Sequence, residues 1–550
     1  MIHEDGELSG NAAKNSSAKN IYFKEGLALI IGGLLALAFA PLALYPLAII
    51  CPALLLLLWL NCTPRRSFFI GLFFGIGFFS VGVSWVFISI HVFGNTSILL
   101  SLFITGLFIF ILALFTGLQG YFLNRFFPDN SRIKRYLIFP SLWTLSEWVR
   151  SWILTGFPWL LLSTSQVNSP LAGYVPLIGG LGVTFLVTLS SALLSGVIIE
   201  KEKNSLYSSR LNFRLCSRPV RNPHVPDIHS GSSPSRRLAE NPIAVSLFPL
   251  VLLIVLWIAG YGLHFIHWTR VVGQPIQVSL IQANIPQEIK WEPQYAQTSL
   301  DNYKQLTQAY WHSRLIIWPE AAIPILQHNA RPFLTQLDKE ATQHGATLIT
   351  GIPIQEGFQY YNGMLAVGVD HARYYKQRLV IFGEYLPWWI ACAQGLLNLL
   401  DIPMSSFSPG PPNQSAFKVA GVDLGTFICY EIAYPSLVRE ALPKAQLLLT
   451  INDDAWFGHS FALAQHLQIG QFQALATGRY LLFLSNTGMT AIVTPQGNIQ
   501  AQLPPFKVST LTGSVYALSG TTPWVKLGDC PSIMFLVGLI ILCYAYTLRT

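Results

Sequence analysis

Long apolar windows dominate this sequence. Runs of roughly 20 apolar residues, the length that crosses a bilayer core as a helix, occur at eight places: 26–41, 43–60, 67–91, 97–123, 136–155, 171–199, 243–266 and 530–547. A second run follows the first almost at once, and the preceding segment 1–25 mixes lysines with acids, which favours a retained anchor over a cleaved signal peptide. The sequence therefore predicts an α-helical membrane bundle of eight spans.

Charge is scarce and unevenly distributed. Only 11% of the residues are charged, against about 25% in soluble domains. The net charge is +8; segment 272–527 holds 14 Lys or Arg and 15 Asp or Glu, hence −1, which leaves +9 for the rest of the chain. The basic excess therefore belongs to the membrane part, and we expect no nucleic-acid partner.

The position of the basic residues predicts an orientation. With segment 1–25 in the cytoplasm, the inner loops carry Arg65, Arg66, Arg125, Arg132, Lys134, Arg135 and the basic residues of loop 200–241, whereas the short outer loops 91–97 and 156–170 carry none. Cytoplasmic loops of membrane proteins are enriched in Lys and Arg. Segment 272–527 should then lie outside the cytoplasm, and 528–550 should form span eight and a cytoplasmic carboxyl terminus.

Segment 272–527 differs from the membrane domain 26–271 because short strand-like runs replace the long apolar windows. The predicted strands are Ile276–Ile281, Leu315–Trp318, Thr347–Ile352, Met364–Val369, Thr426–Cys429, Leu447–Ile451, Leu481–Ser485 and Thr490–Thr494. Many are continuous apolar runs, which is typical of strands covered on both faces. We expect an α/β domain inserted between spans seven and eight.

Three strand-like runs of this insert stop at residues able to do chemistry. They end at Glu320, Lys376 and Cys429, and ligands of layered α/β folds bind beyond the carboxyl ends of strands. A carboxylate can take the proton of a thiol, and an ammonium can stabilise the oxyanion that forms when the thiolate attacks a carbonyl. Each residue alone also has an ordinary explanation. Glu320 could cap a helix, Lys376 could be a solvated charge, and Cys429 could be an inert core thiol. A Cys392–Cys429 disulfide is a further alternative.

Short motifs surround these three residues and recur in the membrane part. They are W-P-E at 318–320, Y-Y-K-x-x-L-V-x-F-G-E-Y-L-P at 374–387, I-C-Y-E at 428–431, D-A-W-F-G at 454–458, N-I-P-Q-x-x-K-W at 284–291, Y-Y-N at 360–362, P-M-S-S-F at 403–407, E-W-x-R at 147–150 and T-G-F-P-W at 155–159. Together they resemble the apolipoprotein N-acyltransferases, which belong to the nitrilase, or carbon–nitrogen hydrolase, superfamily. The motifs cover nearly the whole chain, membrane part included.

This resemblance implies a four-layer αββα catalytic domain and a ping-pong reaction. Glu320 would be the general base, Lys376 the oxyanion stabiliser and Cys429 the nucleophile. It also implies supporting roles near the pocket for Glu384, Tyr430, Glu431, Trp291, Asn362 and Trp456. The sn-1 acyl chain of a phospholipid would pass through a Cys thioester to the amino-terminal S-diacylglyceryl-cysteine of apolipoproteins at the bacterial inner membrane, with the catalytic domain on its periplasmic face.

One residue departs from the pattern of the family, and two other features have alternative explanations. Asp453 stands where most members of the family have Asn, so an acceptor-only carboxylate replaces an amide. Glu147 and Arg150, in the outer half of span five, are either a structural ion pair or a contact to a headgroup or an incoming lipoprotein. Two apolar stretches, Trp388–Ile390 and Leu396–Leu400, are candidates for a lipid-facing rim or for ordinary core.

Two other functions compete with the acyltransferase. In a membrane-tethered amidase or nitrilase, water would resolve the acyl-enzyme. A scaffold or transporter with a degenerate soluble domain would need no intact Glu320, Lys376 and Cys429. We expect no metal and no cofactor, since no ligand pattern for either is visible, and we expect a monomer whose partners are phospholipid, diacylglyceryl apolipoprotein and the bilayer.

Overall fold

The computed structural model describes residues 23–216, 242–381, 383–385, 407–414 and 416–549, with the backbone alone for 202–216 and 242–246. The membrane part is helical. Its helices are α1 (23–35), α2 (Leu47–Trp59), α3 (Pro64–Gly82), α4 (Trp85–Ile88), α5 (Ile98–Phe126), α6 (Phe139–Arg150), α7 (Val175–Cys216) and α8 (Pro242–Leu263).

Four helices in the described part of the chain are long and apolar enough to cross a membrane. They are Pro64–Gly82, Ile98–Phe126, Pro170–Lys201 and Cys530–Thr547. Of the other predicted windows, α2 has 13 residues and α6 has 12, and the part of α8 whose side chains are described, Leu247–Leu263, is also shorter than 18 residues. A helix of 13 residues is about 20 Å long, less than the hydrocarbon core. Four of the eight predicted spans therefore meet this measure in the described part of the chain, and the protein is a membrane protein.

Segment 272–527 folds into two six-stranded sheets. The strands are β1 (Thr269–Gln282), β2 (Leu315–Ile317), β3 (Thr347–Glu356), β4 (Gln359–Gly368), β5 (Ala372–Tyr375), β6 (Phe417–Val419), β7 (Val422–Ile428), β8 (Leu447–Asn452), β9 (Leu481–Ser485), β10 (Thr490–Val493), β11 (Ile499–Leu503) and β12 (Ser509–Gly520). The sheet orders are β12-β1-β2-β3-β4-β5 and β11-β10-β9-β8-β7-β6. The predicted strands are all present, and the strand-like run that ends at Lys376 forms β5; β6, β11 and β12 were not predicted.

Helices cover the outer faces of both sheets. They are α9 (Gln287–Lys290), α10 (Ala296–Thr307), α11 (Arg331–Gln343), α12 (Pro435–Glu440), α13 (Ala462–Thr477) and α14 (Pro523–Leu527), and α15 (Cys530–Thr547) follows the domain. Residues such as Val278 and Leu449 pack between the sheets, whereas Leu334 and Leu337 of α11 pack on the first sheet. The nitrilase-like sandwich is therefore layered as the resemblance implied.

The membrane helices form a fifth layer on the second sheet's side. Leu467 and Phe472 of α13 share one apolar cluster with Trp159 and Val183 of the membrane part. Helix α13 is buried on all sides because the sheet covers one face and the membrane helices cover the other. A single core therefore runs from the bundle into the α/β domain.

A glycine allows one of the closest contacts across this junction. Gly179, inside α7, has φ of 67° and ψ of −171°, a backbone conformation that residues other than glycine rarely adopt. A Cβ on Gly179 would lie 2.2 Å from Nε1 of Trp524, at the end of the α/β domain. The break in α7 thus makes room for a buried indole.

Two predicted segments lie partly or wholly outside the described residues. We expected a loop over 200–241, but α7 continues to Cys216, so its first part is helical; residues 217–241 lie outside the described part. The proposed apolar rim, Trp388–Ile390 and Leu396–Leu400, and Cys392 of the alternative disulfide also lie outside it.

Candidate active site

The three candidate catalytic residues follow three different strands. Lys376 comes directly after β5 and Cys429 directly after β7, while Glu320 comes three residues after β2. Strands β2 and β5 run in the same direction within one sheet, so their carboxyl ends lie on the same side of it, while β7 belongs to the other sheet. All three side chains are buried, so Lys376 is not the solvated charge that its sequence position alone would suggest.

Glu320 and Lys376 form a buried ion pair that two further residues complete. Lys376 Nζ donates to Glu320 Oε1 at 3.2 Å and to Glu384 Oε1 at 3.0 Å. The Asn362 amide donates to the same two oxygens, at 2.7 and 2.8 Å. The Asp453 backbone N–H donates to Glu320 Oε2 at 2.8 Å. Glu320 is thereby held by donors on both oxygens.

The charges of this cluster stabilise one another. Although burial by itself raises the pKa of Glu320, the Lys376 ammonium, the Asn362 amide and Lys290 hold that pKa below its usual value. Burial likewise lowers the pKa of Lys376, but Glu320 and Glu384 hold it well above the ordinary value. At neutral pH Glu320 is therefore a carboxylate able to accept a proton, and Lys376 is a cation.

Cys429 has a strained backbone, which sets the direction of its thiol. Its φ is 55°, a left-handed conformation that costs a non-glycine residue of order 1–3 kcal/mol and is common at functional sites. A 3-10 turn, Cys429–Ala433, begins there. Burial and the Glu320 charge raise the pKa of the thiol well above its usual value, although Lys376 opposes them. The thiol is thus neutral at rest and needs a base when it attacks.

Glu431 ties the nucleophile turn to the lysine segment. One carboxylate oxygen accepts from Ile428 N at 2.8 Å and from the Tyr374 hydroxyl at 2.9 Å. The other accepts from Gln377 N at 2.6 Å and Arg378 N at 3.0 Å. This fully buried carboxyl therefore fixes the turn after Cys429 relative to the strand end that carries Lys376.

Three aromatic candidates lie around this cluster. Trp291 and Trp456 are 46% and 38% exposed, and the Trp291 ring lies 6.0 Å from Lys290 Nζ. The Trp456 ring lies 5.6 Å from that of Phe93, and Ser89 Oγ donates to the Trp456 carbonyl oxygen at 2.7 Å. Tyr430 stacks on Trp159, with ring centroids 6.2 Å apart. Tyr430 and Trp456 therefore join the site to the membrane helices.

Sequence reasoning missed a histidine behind the nucleophile. His466 Nδ1 lies 2.9 Å from Asp454 Oδ1, and its Nε2 lies 3.3 Å from the Cys429 carbonyl oxygen. The imidazole also lies 5.6 Å from the Trp159 ring. No signal in α13 distinguishes His466 from the glutamines beside it, so only the fold could reveal this contact.

Glu147 and Arg150 are both buried but do not form the ion pair that was one of the two alternatives for them. Glu147 accepts from Trp143 Nε1, Leu162 N and Thr184 Oγ1 at 2.9–3.3 Å. Arg150 donates to the carbonyl oxygens of Phe157, Trp159 and Leu160 at 2.6–3.3 Å. Among the described ion pairs none joins the two, because the chain that returns after α6 supplies nearer partners. Both residues shape segment 157–162.

In the described part of the chain, Cys429 is a free thiol. No group of three or more His, Cys, Asp or Glu side chains there is arranged to hold a metal ion. The chemistry available to the described site is therefore that of a thiol, a carboxylate and an ammonium.

Comparisons with known proteins agree with this arrangement. Residues 31–193 match the model of the apolipoprotein N-acyltransferase N-terminal domain, and residues 277–522 match that of carbon–nitrogen hydrolases. The apolipoprotein N-acyltransferase of Coxiella burnetii is 39% identical over 521 residues, which cover 94% of this chain and 99% of that protein. That of Methylococcus capsulatus is 35% identical over 523 residues, 94% of this chain and 95% of that protein.

Among solved structures, Nit3 of Saccharomyces cerevisiae, a member of the nitrilase superfamily, matches with 14% identity and a TM-score of 0.33, covering 45% of this chain and 92% of that one. The two full-length relatives carry the assignment, since their identity extends over the membrane part as well as the α/β domain. The chain belongs to the apolipoprotein N-acyltransferase family, enzymes of the nitrilase superfamily.

Proposed function

We propose that this protein transfers the sn-1 acyl chain of a phospholipid, through a thioester on Cys429, to the α-amine of S-diacylglyceryl-cysteine at the amino terminus of apolipoproteins. The observation that carries the proposal is the position of the thiol. Cys429 lies beside the buried Glu320–Lys376 pair, and its neighbour Tyr430 stacks on Trp159 of the membrane part. A nucleophile at such a junction can meet a donor whose tails stay in the bilayer.

In the first half-reaction, Glu320 accepts the Cys429 proton while sulfur attacks the sn-1 ester carbonyl. Lys376 stabilises the oxyanion, together with backbone N–H groups at the start of the 3-10 turn. The ester C–O bond breaks, Glu320 returns the proton to the departing oxygen, and lysophospholipid leaves. The acyl chain stays on sulfur as a thioester.

In the second half-reaction, the neutral amine of the acceptor attacks the thioester carbonyl. Glu320 takes a proton from the amine, the C–S bond breaks, and the proton returns to sulfur. The products are an amide and the resting thiol. Asn362 and Glu384, which contact Glu320 or Lys376 in the resting site, keep the base and the cation in place through both steps.

The topology belongs to the same proposal. We infer eight spans in the bacterial inner membrane, with 1–25, 200–241 and the carboxyl terminus of 528–550 on the cytoplasmic side and 272–527 on the periplasmic face. The exposed apolar side chains of α5 and α15 suit contact with lipid. A thiol reagent that cannot cross membranes should label a cysteine introduced at position 230 only after the membrane is opened.

The acyl-enzyme is the species to test. Purified protein is incubated with phospholipid carrying a labelled sn-1 chain, and a hydroxylamine-labile adduct on the Cys429 peptide is measured. Wild type should form it, Cys429→Ala and Glu320→Gln should not, and Cys530→Ala, which removes an exposed thiol outside the site, should behave as wild type. An unchanged adduct in Cys429→Ala would refute the mechanism.

A chase separates transferase from hydrolase. Loss of the label to a diacylglyceryl peptide, with formation of an amide, supports the transferase. Equal loss to water in the absence of the peptide supports the amidase alternative, in which the first half-reaction is the same.

A further inference from the structure

A second buried lysine–carboxylate pair lies next to the proposed base. Lys290 Nζ contacts Asp453 Oδ2 at 2.6 Å, and the two side chains are only 2% and 5% exposed. Neither residue takes part in the acyl transfer described above. A buried ion pair is weak evidence for stability, since desolvation of both charges offsets their attraction. Stability alone therefore does not explain why a charged pair is buried at this position.

Both members of this pair hold Glu320. Lys290 Nζ also donates to the Glu320 backbone carbonyl oxygen at 2.9 Å, and the Asp453 backbone N–H donates to Glu320 Oε2 at 2.8 Å. The Gln287 amide, oriented to satisfy its neighbours, donates to Asp453 Oδ2 at 3.0 Å and accepts from Trp291 Nε1 at 3.3 Å. The pair thus connects Glu320, through Gln287, to the exposed Trp291.

Lys290 belongs to the N-I-P-Q-x-x-K-W motif, and Asp453 stands directly before the D-A-W-F-G motif. Asp453 places one negative charge beside the lysine. An uncompensated Lys290 would favour the carboxylate form of Glu320 and make it a weaker base; an uncompensated Asp453 would do the opposite. In this chain the two charges offset each other.

We propose that Lys290 and Asp453 are a positioning pair that sets the proton affinity of Glu320, and through it the reactivity of Cys429. The inference rests on the proposed role of Glu320 as the base. The charged or titratable groups around Glu320 are Lys376, Glu384, Cys429, Lys290 and Asp453, with Asp454 and Tyr303 coupled to Asp453.

Alkylation of Cys429 tests the pair without any lipid. The rate of reaction with iodoacetamide is measured between pH 5 and 10 on the full-length protein in detergent, with the Cys429 peptide quantified by mass spectrometry. A change in nearby charge shifts the pKa values of Glu320 and Cys429 in the same direction. The midpoint of the pH–rate profile should therefore move in that direction whichever of the two groups controls the rate.

Opposite shifts are the expected result. Asp453→Asn should move the midpoint of the pH–rate profile down, and Lys290→Gln should move it up, each by about one pH unit for charges a few ångströms away. The double variant Lys290→Gln/Asp453→Asn should return it toward the wild-type value. The control Lys304→Gln/Glu340→Gln removes a partly exposed ion pair on α10 and α11 and should leave the midpoint unchanged.

The proposal is overturned if the single variants shift the midpoint in the same direction, or if neither shifts it while both remain folded by thermal unfolding. If Lys290→Gln does not fold, the comparison of Asp453→Asn with the double variant isolates the lysine charge and decides the question. A failure of phospholipid to label Cys429 would refute the proposed function but leave these midpoints measurable.

Discussion

Arg150, the last residue of α6, donates to the carbonyl oxygen of Trp159 at 2.6 Å. The Trp159 indole is fully buried and donates to Gln465 Oε1 of α13 at 2.7 Å. The membrane helices are thereby connected to the helix that carries His466. Segment 157–160, rather than any covalent connection, places this side of the membrane part against the nucleophile turn.

Replacing Arg150 should therefore weaken the junction. Arg150→Gln leaves at least one of the three bound carbonyl groups without a donor, because a Gln amide has only two N–H groups, at about 1–3 kcal/mol for each buried group. We expect a lower thermal unfolding temperature and at least a tenfold loss of acyl transfer. Arg150→Lys should recover part of both, because a lysine keeps the charge but lacks the planar fork. Arg125→Gln, at an exposed position, is the control; equal effects at 125 and 150 would contradict the argument.

The buried carboxyl of Glu431 should make stability depend on pH. Burial raises the pKa of Glu431 to about 7, above the value of about 4.3 in an unfolded chain. The folded state therefore binds the proton more tightly, and this contribution is present at low pH and lost as the pH rises through 7. Wild type should lose roughly 2 kcal/mol relative to Glu431→Gln between pH 5 and pH 8. Thermal unfolding of both proteins at the two pH values measures it.

Glu431→Gln should also impair catalysis. Its NH2 group would face two of the four donors that now contact the carboxylate, so the turn after Cys429 would lose its connection to the Lys376 segment. Acyl-enzyme formation should fall at least tenfold. If the stability of wild type and that of Glu431→Gln fall equally as the pH rises, another group causes the pH dependence of stability.

Two isosteres of His466 can separate its two contacts. The amide nitrogen of Gln can occupy the position of Nε2 and keep the hydrogen bond to the Cys429 carbonyl oxygen, whereas that of Asn imitates Nδ1 and faces Asp454. Loss of one hydrogen bond of about 1 kcal/mol is a rate factor of roughly five to ten. Acyl-enzyme formation should therefore follow the order wild type, His466→Gln, His466→Asn. If His466→Asn is instead more active than His466→Gln, the contact to Asp454 is the one that matters.

Gly179→Ala should destabilise the contact between the bundle and the α/β domain. The new Cβ would lie 2.2 Å from Trp524 Nε1, at a φ of +67°, so both the indole and the backbone must move. We expect a loss of about 2 kcal/mol or more in stability. Gly262→Ala, in α8, has no atom within 4 Å of the new Cβ and should be close to neutral. Thermal unfolding in the same detergent compares them.

The strand pattern was predictable because most central strands here are continuous apolar runs. β8 and β9, for example, are buried along their whole length. The unpredicted strands β11 and β12 lie at sheet edges and are partly exposed. Their polar residues break the apolar runs by which the other strands were predicted. Helix length in the membrane part was harder, because irregular turns such as 134–138 and 153–155 interrupt apolar windows without any change in composition.

The site was predictable only where strand ends carry unusual residues. Glu320, Lys376 and Cys429 stand out for that reason, and motif matches added Asn362 and Glu384. Local spacing misled at Glu147 and Arg150, which are three apart on one helix yet bind different groups, since segment 157–162 returns beside them. Lys290, Asp453 and His466 owe their contacts to elements far away in the sequence, and no local pattern encodes such distances.

The strands that enter and leave the α/β domain are antiparallel neighbours, with Thr269 opposite Gly520. Two attachment points side by side define a hinge axis, not a plane, so the covalent chain alone would let the domain tilt over the bilayer. The angle of the domain relative to the membrane helices must then come from contacts away from that axis, among them those of Trp159 and Trp456. Catalytic alignment in this enzyme is a property of its membrane contacts as much as of its sheets.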